Sequence, residues 1–447
     1  MPSSASPRRS ARALTIAVVI VGALAILATI AFWPRGDAPD LGVQPNDYVD
    51  ATVTGIDTDT CDDPEIDAPG PCQIVSARLT SGPDEGDTIS FEVRETQFDV
   101  PELAEGDEVV LLDVATSPPE FRYSFADFQR STPLLWLLGA FVLVVVAFGR
   151  WQGVRALVGL AASGAVLIAF LVPALLRDEP AVGVALAATV LIAFIALYLA
   201  HGVNVGTTVA LAGTLLALAI TSALAFGVAA ATNLTGLADS RAQTLRVTAE
   251  ALDLRGLLVA GIVVGALGVL DDVTVSQVSI VAALRRANPV LSPRLLYREA
   301  TKVGRDHVAS TVNTLVLAYA GASLPLLLFF AQGDQPAGRL ITSEIISVEV
   351  VRMLVGSIGL VASVPITTAL AAAVLGPGDK VSGHSHGDDD HDRGWGEGID
   401  SPDNGLGDDD TGGARRGAHA AKGRRRRKVR SGDRSRWDDF TPKEDDW

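Results

Sequence analysis

The sequence predicts a mainly α integral membrane protein with about eight transmembrane helices. A small extracytoplasmic β domain stands between helices 1 and 2, and a disordered tail closes the chain. Three observations predict this: apolar residues gather in runs of about 20, charges sit in blocks between those runs, and the only two cysteines share one acidic segment. At 447 residues and 48% hydrophobic, a chain patterned this way is no soluble, one-core enzyme. The net charge of −16 divides into −18 over residues 34–132, −3 over 376–447 and +5 over the remainder. The apolar part is therefore basic, and the hydrophilic insert makes the chain acidic.

Runs long enough to cross about 30 Å of hydrocarbon are Ala13–Trp33, Leu134–Phe148, Val154–Leu176, Ala181–Ala200, Thr208–Ala231, Leu257–Leu270, Ser310–Ala331 and Val348–Leu375. The second is short, with Trp136 and Trp151 as interfacial aromatics, and the sixth reaches full length only with Asp271 to Gln277 included. Arg8, Arg9 and Arg12 precede the first run, which exceeds the roughly 7–15 apolar residues of a cleavable signal core. It reads as an uncleaved anchor with the N-terminus in the cytoplasm. Threading onward puts Arg150 and Arg155 inside and the Arg177-Asp178-Glu179 turn outside. The loop with Arg285, Arg286, Arg294, Arg298, Lys302 and Arg305 then falls inside, as does the C-terminal tail. Four regions follow: an anchor at 1–33, an acidic outer β domain at 34–132, a seven-helix membrane domain at 133–375 and a cytoplasmic tail at 376–447.

In the outer segment, Cys61 and Cys72 face an oxidising compartment, so a disulfide is expected. Alternating stretches at Tyr48–Ile56, Ile74–Thr80, Thr88–Val93 and Glu108–Val114 read as strands, with Gly86-Asp87 and Gly106-Asp107 as turns. Five or so short strands suit a small barrel of the oligonucleotide/oligosaccharide-binding (OB-like) type. At −18 the segment repels nucleic acid, so none is expected as a partner. The tail has almost no aliphatic residues and is expected to stay disordered. Its His384, His386 and His391 stand among aspartates and are metal-binding candidates, although a flexible tract lacks the supporting shell of a built site. The Arg424–Lys428 run suits an anionic inner leaflet.

Ionisable and amide groups near the membrane core are functional suspects because they are costly there. His201, Asn204 and Thr208 line the turn between the fourth and fifth runs. Asp271, Asp272 and Gln277 end the sixth, while Asp306, His307 and Asn313 open the seventh. Three helix ends aimed at one leaflet predict a cytoplasm-facing polar cavity; the competing expectation is that these groups are caps and interfacial residues. Asp306 reads as an N-terminal anion, and Asn313, a turn inside, as a partner for another helix. Near the outer face, Glu349 and Arg352 have the spacing of an intrahelical pair, with Arg255 as the rival partner in an outer gate. Gly261, Gly265, Gly268, Gly356 and Gly359 read as packing positions, and Pro325 and Pro365 as kinks.

Several strings together resemble the YibE/F-like family of multi-pass bacterial membrane proteins. They are His201-Gly202-Val203-Asn204 into Thr207–Thr214, Asp253–Leu258 into Gly261–Asp272, Gly304-Arg305-Asp306-His307 through Asn313 to Leu324-Pro325-Leu326, and Val355–Gly359 to Pro365. The resemblance covers roughly residues 130–375, with a weaker echo in the outer barrel. The Asp271-Asp272 pair departs from the single aspartate of the pattern. The resemblance implies an integral protein of the bacterial cytoplasmic membrane, and the family brings no settled activity.

The leading expectation is a secondary transporter or permease for a small solute or ion, coupled to protons through Asp271, Asp272, Asp306 or His307. No Gly-x-x-x-x-Gly-Lys-Ser/Thr loop is present to power a pump. The alternative is a scaffold or sensor linking an envelope protein partner to the cytoplasm. An intramembrane hydrolase comes third, since residues 133–375 carry no Gly-x-Gly-Asp string, no His-Glu-x-x-His and no serine elbow. The chain is thus expected to be no enzyme and to need no cofactor. Its expected partners are the lipid bilayer, a small solute or ion of unknown identity and an envelope protein. No inverted pair of matching segments is evident.

Overall fold

A computed structural model describes residues 7–36, 47–63, 68–94, 102–118, 121–177, 179–238, 240–248, 252–331, 338–339 and 342–376. The tail expectations, including His384, His386 and His391, lie outside these residues. The side chains of Cys61 and Cys72 lie outside them too, and with them the disulfide.

Five strands, β1 (Asp47–Asp63), β2 (Ala68–Leu79), β3 (Thr88–Arg94), β4 (Glu108–Asp113) and β5 (Tyr123–Phe128), form one antiparallel sheet in the order β3-β2-β1-β4-β5. The sheet curls until β3 and β5 touch. Alternation drives this: Val49, Ala51 and Val53, then Val75, Ala77 and Leu79, then Phe91 and Val93, and Val109 and Leu111 all point to one core. The two expected turns hold Gly86 and Gly106 at φ of 96° and 92°, where a side chain would be strained. β5 follows the four named stretches. At one end of the sheet, Arg122 bridges Asp113 (2.8 Å) and Asp84 (2.8 Å), and the Tyr123 hydroxyl donates to Asp84 (2.8 Å).

The helices follow the apolar runs. α1 spans Pro7–Ala31 and α2 Ser131–Val166; a π turn at Leu167–Leu171 leads into α3 (Val172–Leu176). Then come α4 (Ala181–His201), α5 (Val205–Ala231), the short α6 (Ser240–Thr248), α7 (Leu254–Ala287), α8 (Pro293–Ala322), α9 (Leu324–Ala331) and α10 (Glu344–Val374). Pro173 has no N–H to give the preceding turn, which accounts for the π turn there. α2 is not straight. Arg150 takes φ 48° and ψ −131°, and Gly153 lies on the carbonyl of Val145, eight residues earlier, so the chain doubles back. The two legs match the second and third apolar runs.

α5, α7 and α10 pack on one another at the centre, with α4 against α7 and α8 against α10. Among the described residues, six helices are long and apolar enough to cross a membrane, the bent α2–α3 stretch counted once. α8 is not among them, because its first half carries Arg294, Arg298, Glu299, Lys302, Arg305 and Asp306 and its apolar half stops at Ala322. It stops at Ser323, just before Pro325, so the expected kink there is a break between α8 and α9. α10 runs on through Pro365. The first leg of α2 turns Leu135, Leu138, Leu143 and Phe148 outward, as a face wetted by lipid would.

Candidate functional site

Where α4 meets α5, the chain reverses through Gly202 (φ 77°) and Asn204. The Asn204 side-chain oxygen accepts from the Thr207 N–H (2.9 Å), and its amide donates to the His201 and Gly202 carbonyls (3.0 and 3.3 Å). Asn204 is therefore a helix cap, as the competing expectation had it. Thr208 donates to the Asn204 carbonyl and lies 3.1 Å from the Tyr198 hydroxyl. Arg155 is anchored on the Leu199 carbonyl (2.7 Å), and both it and Asp272 lie within electrostatic reach of His201.

Asp271 and Asp272 part company. Asp272 is exposed, whereas Oδ1 of Asp271 is wholly buried with no hydrogen-bond partner. Leu267 and Val275, one helical step to either side of Asp271, pack with Leu197 of α4 and Leu211 and Ala212 of α5. That places the carboxyl where α4, α5 and α7 meet.

A buried polar layer follows on the same helix. Gln277, 1% exposed, donates to Thr368 of α10 (2.7 Å) and to the Ala300 carbonyl of α8 (3.0 Å). Gly304 of α8 sits against its side-chain oxygen, where an added Cβ would displace that oxygen and Val364. Thr214 and Thr274 share a hydrogen bond at 2.6 Å, and Gly213 rests on Thr367. The hydroxyls of Thr207 and Thr367 are buried with no hydrogen-bond partner. Sequence reasoning missed these threonines because hydroxyls hide in apolar runs: Thr214, Thr221 and Thr368 each bond back to the carbonyl four residues earlier. Arg285, expected only as a topology-setting charge, is buried and ties the Leu291 carbonyl to the end of α7 (2.7 Å).

The α8 candidates do not join this group. Ser292 caps α8 and Pro293 opens it, so the helix begins 13 residues before Asp306. Asp306 is thus a mid-helix residue rather than an N-terminal anion. The buried stripe is Leu296, Ala300, Gly304 and Val308, which leaves Asp306, His307 and Asn313 on the exposed side. Asn313 faces away from the neighbouring helices instead of bonding to one.

A cavity of about 560 Å³ opens at the other end of the bundle, between the starts of α7 and α10 and the α8–α9 break. None of the nine expected cavity residues lines it. Glu349 and Arg352 do, and they form the expected pair at 3.0 Å. Arg255 makes no contact with Glu349; its Nη2 is buried without a partner. The rim is fixed by Glu344, which accepts from the Thr235 and Gly236 N–H groups (2.7 and 2.9 Å), and Gly236 (φ 83°) presses on the Leu254 carbonyl. Among the described residues, no group of three or more His, Cys, Asp or Glu could hold a metal ion. Strings of the Gly-x-Gly-Asp and Gly-x-Ser-x-Gly kinds do occur at Gly376–Asp379 and Gly383–Gly387, beyond α10.

A family model described as YibE/F-like protein matches residues 137–377, more than half of the chain. The chain belongs to the YibE/F-like family. No curated protein and no solved structure matches it. The match runs from α2 through α10, so both the Asp271 region and the Glu349–Arg352 cavity belong to the family's part of this chain, while the β domain lies outside it. With its apolar helices, this YibE/F-like chain is a membrane protein.

Proposed function

We propose that this YibE/F-like protein is a secondary transporter for a small solute or ion, with Asp271 carrying the coupling proton. The observation that carries the reading is the buried, unpartnered carboxyl oxygen of Asp271 at the junction of α4, α5 and α7. An ionised carboxylate there, without a counter-charge, costs several kcal/mol. A proton is the counter-charge that the place admits most readily, which suits a coupling role. Asp272 at the exposed edge and His201 beside it supply a path to water, and the Thr214–Thr274 and Gln277–Thr368 layer closes the bundle beyond.

In this reading the two legs of α2–α3 and the α8–α9 pair each cross the bilayer, giving eight crossings with both termini in the cytoplasm of a bacterial cell. Arg150, Arg155 and Arg285 then share a side with Arg8 and Arg12. The strand order and the meeting of β3 with β5 support an OB-like barrel outside the membrane. The scaffold or sensor alternative draws on the outward apolar leg of α2, a face open to a partner helix.

The test is proton flux in liposomes loaded with pyranine, on addition of a mixture of amino acids, organic acids and inorganic cations. Flux that Asp271→Asn abolishes and Asp306→Asn leaves intact is the expected result. Flux indifferent to Asp271→Asn removes the coupling role. No flux with any component, together with a cytoplasmic protein captured only when residues 376–447 are present, favours the scaffold.

A further inference from the structure

The outer cavity goes beyond the transport reading. A second, apolar cavity of about 160 Å³ lies between α8–α9 and α10, lined by Tyr319, Leu327 and Met353, and it shares Ser323, Leu326 and Glu349 with the first. One groove therefore runs over Glu349, with an ion pair in one half and a mostly apolar lining of Leu326, Leu327, Ile346, Val350 and Met353 in the other. The apolar half ends at Leu327, which is exposed beside Leu324 and Leu328. These leucines belong to the outward apolar surface of the bundle, so the groove is continuous with the side that hydrocarbon covers.

The polar half lies on the first two turns of α7 and the second and third turns of α10, close to the helix ends where headgroups begin. Arg352 spends only Nη1 on Glu349, leaving Nη2 and Nε to the cavity it lines. A guanidinium with donors to spare matches a phosphate oxygen pair. The Glu349–Arg352 pair is neutral overall, so an added anionic group meets no net negative charge from it. An occupant with an anionic head and an apolar chain fits both halves; a soluble anion fits only one.

We infer that this groove holds one phospholipid, its phosphate on Arg352 and one acyl chain in the compartment of Tyr319, Leu327 and Met353. Gly261 supplies a clean test. It lines the cavity, and a Cβ placed on it meets nothing within 4 Å, so Gly261→Leu adds bulk to the groove from an unobstructed position.

The full chain is reconstituted in phosphatidylethanolamine vesicles containing a small fraction of phosphatidylglycerol with a diazirine on its acyl chain. After photolysis the labelled peptides are mapped. Labelling should concentrate on 319–327 and 346–353 and fall at least five-fold in both Gly261→Leu and Arg352→Gln, with the thermal midpoint of Gly261→Leu unchanged in detergent. Labelling unaffected by Gly261→Leu, or spread equally over the outward leg of α2, overturns the site. Labelling suppressed by millimolar inorganic phosphate also overturns it, because a soluble anion is then the occupant. The result is independent of Asp271: lipid labelling is read without flux, and either can fail alone.

Discussion

Gln277 of α7 and Thr368 of α10 are hydrogen-bonded at 2.7 Å in a layer sealed from solvent, and the same amide reaches the Ala300 carbonyl of α8. Three helices are tied through one side chain. Hydrogen bonds between membrane helices contribute about 0.6 kcal/mol on average and up to about 1.7. Gln277→Leu should lower stability by about 1 kcal/mol, Thr368→Val by less, and the double variant by less than the sum. Unfolding of the detergent-solubilised protein measures all three.

Gly359 of α10 lies directly on Thr221 of α5, and a Cβ added there would overlap the threonine hydroxyl. Gly359→Ala must push two central helices apart, at a cost of about 1–3 kcal/mol. The Thr221 hydroxyl bonds only back to the Ala217 carbonyl. Thr221→Ala should therefore be nearly silent alone and should restore most of the loss in the Gly359→Ala background. A midpoint in the double variant as low as in Gly359→Ala would contradict the contact.

In the proposed eight-crossing topology, the two ends of the second leg of α2–α3 lie on opposite faces of the membrane. Single cysteines at Arg150 and Arg177, in a Cys61→Ser/Cys72→Ser background, should react with a membrane-impermeant maleimide from opposite sides of sealed vesicles. Labelling of both from one side would reject the double crossing.

In the β domain, burial first and the hydrogen bond to Asp84 second push the Tyr123 phenol up to about 12. An unfolded tyrosine titrates near pH 10. Because the folded value is the higher one, the stabilisation is complete below about pH 10 and is lost as pH rises towards 12. The β domain should loosen over that interval, and Tyr123→Phe should flatten the loss. Tyrosinate absorbance followed alongside the thermal midpoint reads both.

Much of the architecture is legible from local rules. Ala181, Ala231 and Val374 fall within a residue of the apolar-run ends, because hydrocarbon thickness and cap chemistry act on neighbouring residues. Asn204 before Thr207 is a cap that the string itself announces. The start of α8 escaped the hydropathy reading, since its first turns are charged, although Ser292-Pro293 marks them. The threonine layer escaped it too, as a hydroxyl bonded to its own helix hardly interrupts an apolar run.

By itself the sequence determined that several segments are apolar enough to enter a membrane and that an acidic, strand-forming segment separates the first two, because each depends on composition over a few turns. Only the tertiary structure decided that Asp271 turns inward while Asp272 beside it turns outward, that Asp306 and Asn313 miss the bundle, and that the open groove lies at Glu349 and Arg352. Successive residues on a helix point about 100° apart, so the choice between a buried and an exposed carboxylate depends on which neighbouring helices pack against which face.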